Sequence, residues 1–182
     1  YGTDKPDLRN PLIISNITEI FSRDDVKFDI FKKEVSKGKV VKAIITKNTT
    51  DKSRSFFDSI DKWAKAQGSS GLAYITLERN KDLEAKGPIG KFFPNDALED
   101  LMSISKSEVG DSVFFDCGRK PELEKILSQA RTKIAKQLNL IDDEKFSFCW
   151  IIDYPMYEID ELSKKIMEGK IKGRTLISLK NL

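Results

Sequence analysis

FDIFKKEVSKGKVVKAIIT, Phe28–Thr46, holds the reading on which the fold turns. Its second half, with Val40, Val41, Ala43, Ile44 and Ile45, is apolar on both faces of a strand, so it belongs inside a sheet. Gly38 supplies a turn ahead of it, and FDIF before that turn predicts a second strand and a hairpin.

Working outward, Ser53 can cap a helix running to Gln67, with Phe56, Phe57, Ile60, Trp63 and Ala64 on one stripe and Gly68 closing it. GLAYITLE (71–78) predicts the next strand, and ERNKDLEAKGP reads as a polar loop. Pro94, Asn95 and Asp96 open a second helix carrying Ala97, Leu98, Leu101 and Met102 at helical spacing. VGDSVFFDC turns at Gly110–Asp111 into a strand. A third helix from Pro121 points Leu123, Ile126, Leu127, Ala130, Ile134 and Leu138 inward. Its Glu122 and Glu124 lie early and its Lys133 and Lys136 late, as the macrodipole favours. FSFCWII (146–152) alternates Phe146, Phe148, Trp150 and Ile152 as a half-buried strand. The expected fold class is α+β: a mainly antiparallel sheet of about five strands with three helices on one face.

Composition narrows the chemistry. The 182 residues are 39% hydrophobic and 34% charged, enough for one domain with a sizeable core or a domain plus appendages. No apolar run approaches the roughly 20 residues of a membrane helix, and the first residues carry no apolar leader, so no membrane partner is expected and the cytoplasm is the expected compartment. Histidine is absent, which removes the commonest general base and every Ser-His or Cys-His pair. Cys117 and Cys149 fall in apolar segments and read as buried free thiols, too few for a zinc site. The net charge of +3 is unevenly spread: 32–54 holds eight Lys/Arg against two Asp/Glu, whereas 95–116 and 142–161 are acidic. Such blocks can steer a polyanion to one face, or can simply be solvated.

Several motifs fail as sites. KGPIGKFF (86–93) lacks the phosphate-loop spacing and reads as a tight turn at Gly87–Pro88. Asp153, Glu158, Asp160 and Glu161 have no partner base nearby. Asn16 reads as the cap of a short helix with Glu19 three residues on.

Taken together, YGTDKPDLRNPL (1–12), GSSGLAYITLE (68–78), GPIGKFF (87–93), GDSVFFDC (110–117) and FCWIIDYPMYE (148–158) resemble, in this order, the inserted domain of bacterial-type aspartyl-tRNA synthetases with its flanking connectors. The tRNA-dependent amidotransferase shares the inserted domain, while DKPDLR and WIIDYPMYE are similar to the synthetase. The resemblance implies residues 1–27 as a connector from a class II catalytic core, 28–145 as the inserted α+β domain and 146–166 as the return strand. Residues 167–182 match nothing expected and read as a divergent end, a truncation or an appended tail.

Such a fragment is expected to be non-catalytic alone, with no catalytic, cofactor or metal residues of its own. The resemblance implies a parent that uses ATP and magnesium to charge tRNA with aspartate, a homodimer whose catalytic and anticodon-binding domains are this chain's partners. The domain would position the tRNA acceptor arm by weak, salt-sensitive phosphate contacts from Lys39, Lys42, Lys86 and Lys91. The other reading is a free-standing adaptor that binds a protein or RNA surface.

Overall fold

The structure, a computed structural model, describes residues 1–150 together with Glu168. The chain divides into a body, Tyr1–Phe148, and a second unit, Cys149–Leu182. Within the second unit Cys149, Trp150 and Glu168 are exposed. Among the described residues no helix is long and apolar enough to cross a membrane.

The body is built on strand β2 (Val40–Thr46), whose two apolar faces require neighbours above and below. It pairs antiparallel with β5 (Ser112–Gly118), with Ala43 opposite Phe115, and β5 pairs antiparallel with β3 (Ala73–Arg79), with Val113 opposite Ile75. Two short strands close the edges, β1 (Ile14–Asn16) beside β2 and β4 (Leu83–Lys86) beside β3. The order is β1-β2-β5-β3-β4, an antiparallel sheet of five strands in an α+β fold. Edges of three and four residues leave little open ladder for another chain to join.

Alternation along the strands divides the core in two. Val41, Ala43, Ile75, Leu77, Val113 and Phe115 pack with helices α1 (Thr18–Ser22), α2 (Asp29–Val35) and α4 (Asn95–Ser105). Ile44, Tyr74 and Phe114 pack with α3 (Arg54–Ala66) and α5 (Lys120–Gln137). Helices therefore cover both faces, not one. Central strands that are apolar on both sides require this arrangement.

Three local expectations change. FDIF is not a strand but leads into α2: Phe28, Phe31 and Val35 turn toward the core while Ile30 is 65% exposed. Spacings of three and four residues prevail here over alternation. The polar loop after residue 78 contains β4, which buries only Leu83 and carries Glu84 and Lys86 along the edge. At the other end, residues 146–150 form no strand, and Phe146 and Phe148 are 88% and 93% exposed. Ile151 and Ile152 lie outside the described residues.

The N-terminal segment, expected as a connector to residue 27, contributes to the body. Ile17, Ile20, Phe21 and Val26 are buried in the core, and Asn16 accepts the Thr18 backbone N–H at 3.1 Å at the start of α1. The GPIG turn has a packing reason: a Cβ on Gly90 would collide with the Ala85 carbonyl, so the backbone itself fills that space.

Phe115 is fully buried against the rings of Phe21, Phe31 and Phe93. Phe115→Ala is expected to cost about 3–5 kcal/mol in denaturant unfolding. A loss below about 1 kcal/mol would contradict a two-faced core closed on this strand.

Candidate nucleic-acid interface

The four lysines singled out by sequence are not neighbours. Lys42, on β2, faces α5 and pairs with Glu124 at 2.5 Å. Lys39, just before β2, turns toward α2 and joins Lys37 on Glu34. Hydrogen bonds from Lys37 and Lys39 pull the Glu34 carboxyl down to about 2, and Glu34 in turn raises Lys39. Lys86 lies at the far edge on β4, paired with Glu78 at 2.6 Å and raised by that bond. Lys91 sits 5.1 Å from the ring centre of Phe92. Two strands, β5 and β3, separate β2 from β4, and Lys39 and Lys42 turn to different helices, so these lysines do not form one patch.

Free cations lie elsewhere. In α5, Leu123, Leu127, Ala130, Arg131, Ile134 and Ala135 are buried. Lys125, Gln129, Lys133 and Lys136 fall on the opposite side, within one arc of roughly 80°. Among the described residues Lys125, Lys133 and Lys136 have no carboxylate within ion-pair distance, nor do Arg119 and Lys120 at the start of the helix. Glu124 is taken by Lys42, which leaves Glu122 as the one acid of α5 outside an ion pair. Lys125 to Lys136 spans about 16 Å of helix. The arrangement suits a row of phosphates. Subtracting the apolar stripe of this helix would have exposed these lysines in the sequence; the removal of Glu124 by a residue 82 positions away would not have shown.

Two hollows of the body bear on the chemistry. One of about 400 Å³ is lined by Leu12, Ile13, Ile45, Ile104 and Leu140, with Lys47 engaged by Asp111 at 2.8 Å. A second, of about 390 Å³, lies between Ser69–Ser70, the end of β5 and the start of α5. Its floor is Asp116, 2% exposed, which accepts the Ser69 hydroxyl at 2.6 Å and the Cys117 backbone N–H at 2.6 Å. Lys42 stands directly opposite Asp116 in the sheet, yet its ammonium reaches Glu124 instead. Burial raises the Asp116 carboxyl above the usual carboxylate range, against the pull of its hydrogen bonds. A perturbed carboxylate in a cleft can mark a reactive site. Here its side-chain partners, Ser69 and Ser70, belong to the loop at 68–71, and it latches that loop to β5.

Cys117 beside it is half-buried, and burial pushes its thiol up to about 11, far from a nucleophile. Cys149, expected to be buried, is exposed, and both thiols are free. No group of His, Cys, Asp or Glu among the described residues could hold a metal ion.

Comparison with known proteins adds two findings. The family model described as the GAD domain matches residues 31–127. Aspartate–tRNA(Asp/Asn) ligases are similar along nearly the whole chain. That of Pelagibacter ubique (strain HTCC1062) is 61% identical over 166 residues, 91% of this chain and 28% of its own length. That of Ehrlichia chaffeensis is 46% identical over 166 residues, and that of Beijerinckia indica 42% over 167, each again over 91% of this chain and 28% of the relative. The chain thus spans little more than a quarter of the length of these curated relatives.

Asp116 supplies a test of the latch. The folded state holds its proton more tightly than the unfolded chain, whose carboxyl titrates near the ordinary 3.8. Ionisation therefore costs stability as pH rises from that value through the folded one. Asp116→Asn removes the charge, while its single oxygen can keep the Cys117 backbone N–H and its amide can face the Ser69 hydroxyl. The variant is expected to gain stability relative to the native chain as pH rises to 7. The gain should vanish below about pH 4. An equal difference at both pH values would contradict the charge-burial cost.

Proposed function

Because the chain belongs to the GAD domain family, we propose that it is the inserted GAD domain of an aspartate–tRNA ligase. In this reading the whole protein activates aspartate with ATP and magnesium and transfers it to the 3′ end of tRNA. The names of the relatives pair two tRNAs, and the same pair, tRNA(Asp/Asn), is proposed as substrate. The ATP, magnesium and aspartate sites belong to a catalytic domain, and the anticodon site to another, both outside this chain. The whole protein acts as a cytoplasmic homodimer. The observation that carries the reading is 61% identity sustained over 91% of the chain, flanking segments included.

The domain's own role is to hold the tRNA acceptor arm by its backbone. Phosphate contacts position without reading sequence, and the surface best fitted to them is the outer side of α5. Lys125, Lys133 and Lys136 offer three unpaired ammonium groups there. Lys39, Lys42 and Lys86 must each surrender a carboxylate before meeting a phosphate, so their contribution is secondary. Lys91, which has no ion pair among the described residues, can add a contact at the other edge of the sheet. The exposed Phe146 and Phe148 support a return segment whose packing partner lies outside the body.

In the full-length protein, replacing Lys125, Lys133 and Lys136 together by Ala should raise the tRNA KM about tenfold at moderate salt and flatten its salt dependence. Aspartate-dependent ATP–pyrophosphate exchange should be unchanged. Replacing Lys39, Lys42, Lys86 and Lys91 should have a smaller effect. A tRNA KM unmoved by either set, at low and moderate salt, would contradict the positioning role.

A further inference from the structure

Arg131 is the largest fully buried side chain of the body, 1% exposed, and among the described residues no carboxylate lies within ion-pair distance of its guanidinium. Its donors go instead to the main chain of the first residues. Nε donates to the Leu12 carbonyl, and Nη2 donates to the carbonyls of Asp7 at 2.9 Å and Asn10 at 2.6 Å. The ring of Tyr1 lies over the guanidinium at 4.9 Å. Asn10, itself 2% exposed, answers in kind: its side-chain amide donates to the Arg131 carbonyl at 3.1 Å, and its oxygen accepts the Leu12 N–H at 3.0 Å. Arg9 bonds both oxygens of the Asp7 carboxylate and reaches on to Asp143 at 2.9 Å, so Asp7 acts on Arg131 through its charge and its backbone carbonyl. Gly2 comes so close that a Cβ there would lie 2.5 Å from the Glu124 carbonyl oxygen.

Residues 1–13 form no strand or helix, so no ladder holds them. A buried cation that bonds no carboxylate is expensive. A neutral side chain of similar size would avoid that cost but would leave the Asp7, Asn10 and Leu12 carbonyls without these donors. The fork of donors on Arg131 does one thing an apolar residue cannot: it gathers three carbonyls of an irregular segment at once. Arg9 adds a surface tie between that segment and the chain leaving α5.

We propose that Arg131 is a positioning residue that pins the incoming segment, Asp7–Leu12, along α5, so that the incoming chain and the chain leaving α5 are held side by side as a stiff base. This rests on the tRNA-positioning reading in one respect: a stiff base fixes where the lysines of α5 stand, and a loose one lets them wander.

The test uses the full-length protein and the variants Arg131→Met, Arg131→Lys and Asn10→Ala. The measurements are hydrogen exchange by peptide and the kinetics of both half-reactions. Arg131→Met is expected to speed amide exchange in residues 7–12 at least tenfold while β5 stays protected. The tRNA KM should rise several-fold with aspartate activation unchanged. Arg131→Lys should not rescue either effect, because an ammonium cannot span the three carbonyls. Asn10→Ala, which leaves the cation in place, should loosen the same segment in part, and it serves if Arg131→Met does not fold. Unchanged exchange at 7–12, or a rise shared equally by β5, would overturn the proposal. So would a loosened segment with an unmoved tRNA KM. If the α5 lysines also leave tRNA KM unmoved, the tRNA reading itself fails; if they move it and Arg131 does not, only this inference fails.

Discussion

The body depends on β5. Ser112 to Asp116 are all buried, flanked by β2 and β3 and covered from both faces. Phe115 closes one core and Phe114 the other, the latter against Phe57 and Tyr74. Polar groups at the ends of the strand are satisfied locally. Thr49 donates to the Ser112 hydroxyl at 2.9 Å, and the Thr46 hydroxyl donates to its carbonyl at 3.2 Å. Asp111, 1% exposed, fixes the turn before the strand by accepting the backbone N–H groups of Asn48 at 3.1 Å and Glu108 at 2.7 Å. Every helix is thereby assigned a face, and α5, following directly, is laid with its apolar side down and its lysines outward.

That placement joins fold to function. α5 packs one side into the core, offers the other to solvent and gives Arg131 to the incoming segment. One helix thus supplies packing, a cationic surface and an anchor for the chain. A domain whose incoming and outgoing segments are tied together can sit within a longer chain without straining it. The cost is a buried guanidinium.

Much of the architecture was legible in the residues. The doubly apolar run at 40–46, the stripe of α3, the strand around Ala73–Arg79 and the α5 stripe all appear where sequence spacing put them. What escaped was decided by competition or distance. FDIF satisfies an alternating pattern and a helical one, and only burial of Phe31 over Ile30 separates them. β4 is an edge strand with one buried side chain, so its sequence looks like a loop. The second helical layer was implied by strands apolar on both faces, a property as plain in SVFF as in VVKAII. The interface was less legible, because the freedom of a lysine depends on partners far along the chain. Lys42 and Glu124 are 82 residues apart, and Arg131 meets carbonyls 119 to 124 residues away.

The most direct test of the central claim is lysine reactivity in the full-length protein, followed by mass spectrometry with and without tRNA. The account predicts protection of Lys125, Lys133 and Lys136 on tRNA binding, with Lys52, Lys81 and Lys145 labelled as before. Protection of lysines elsewhere in the protein with none on α5 would contradict it.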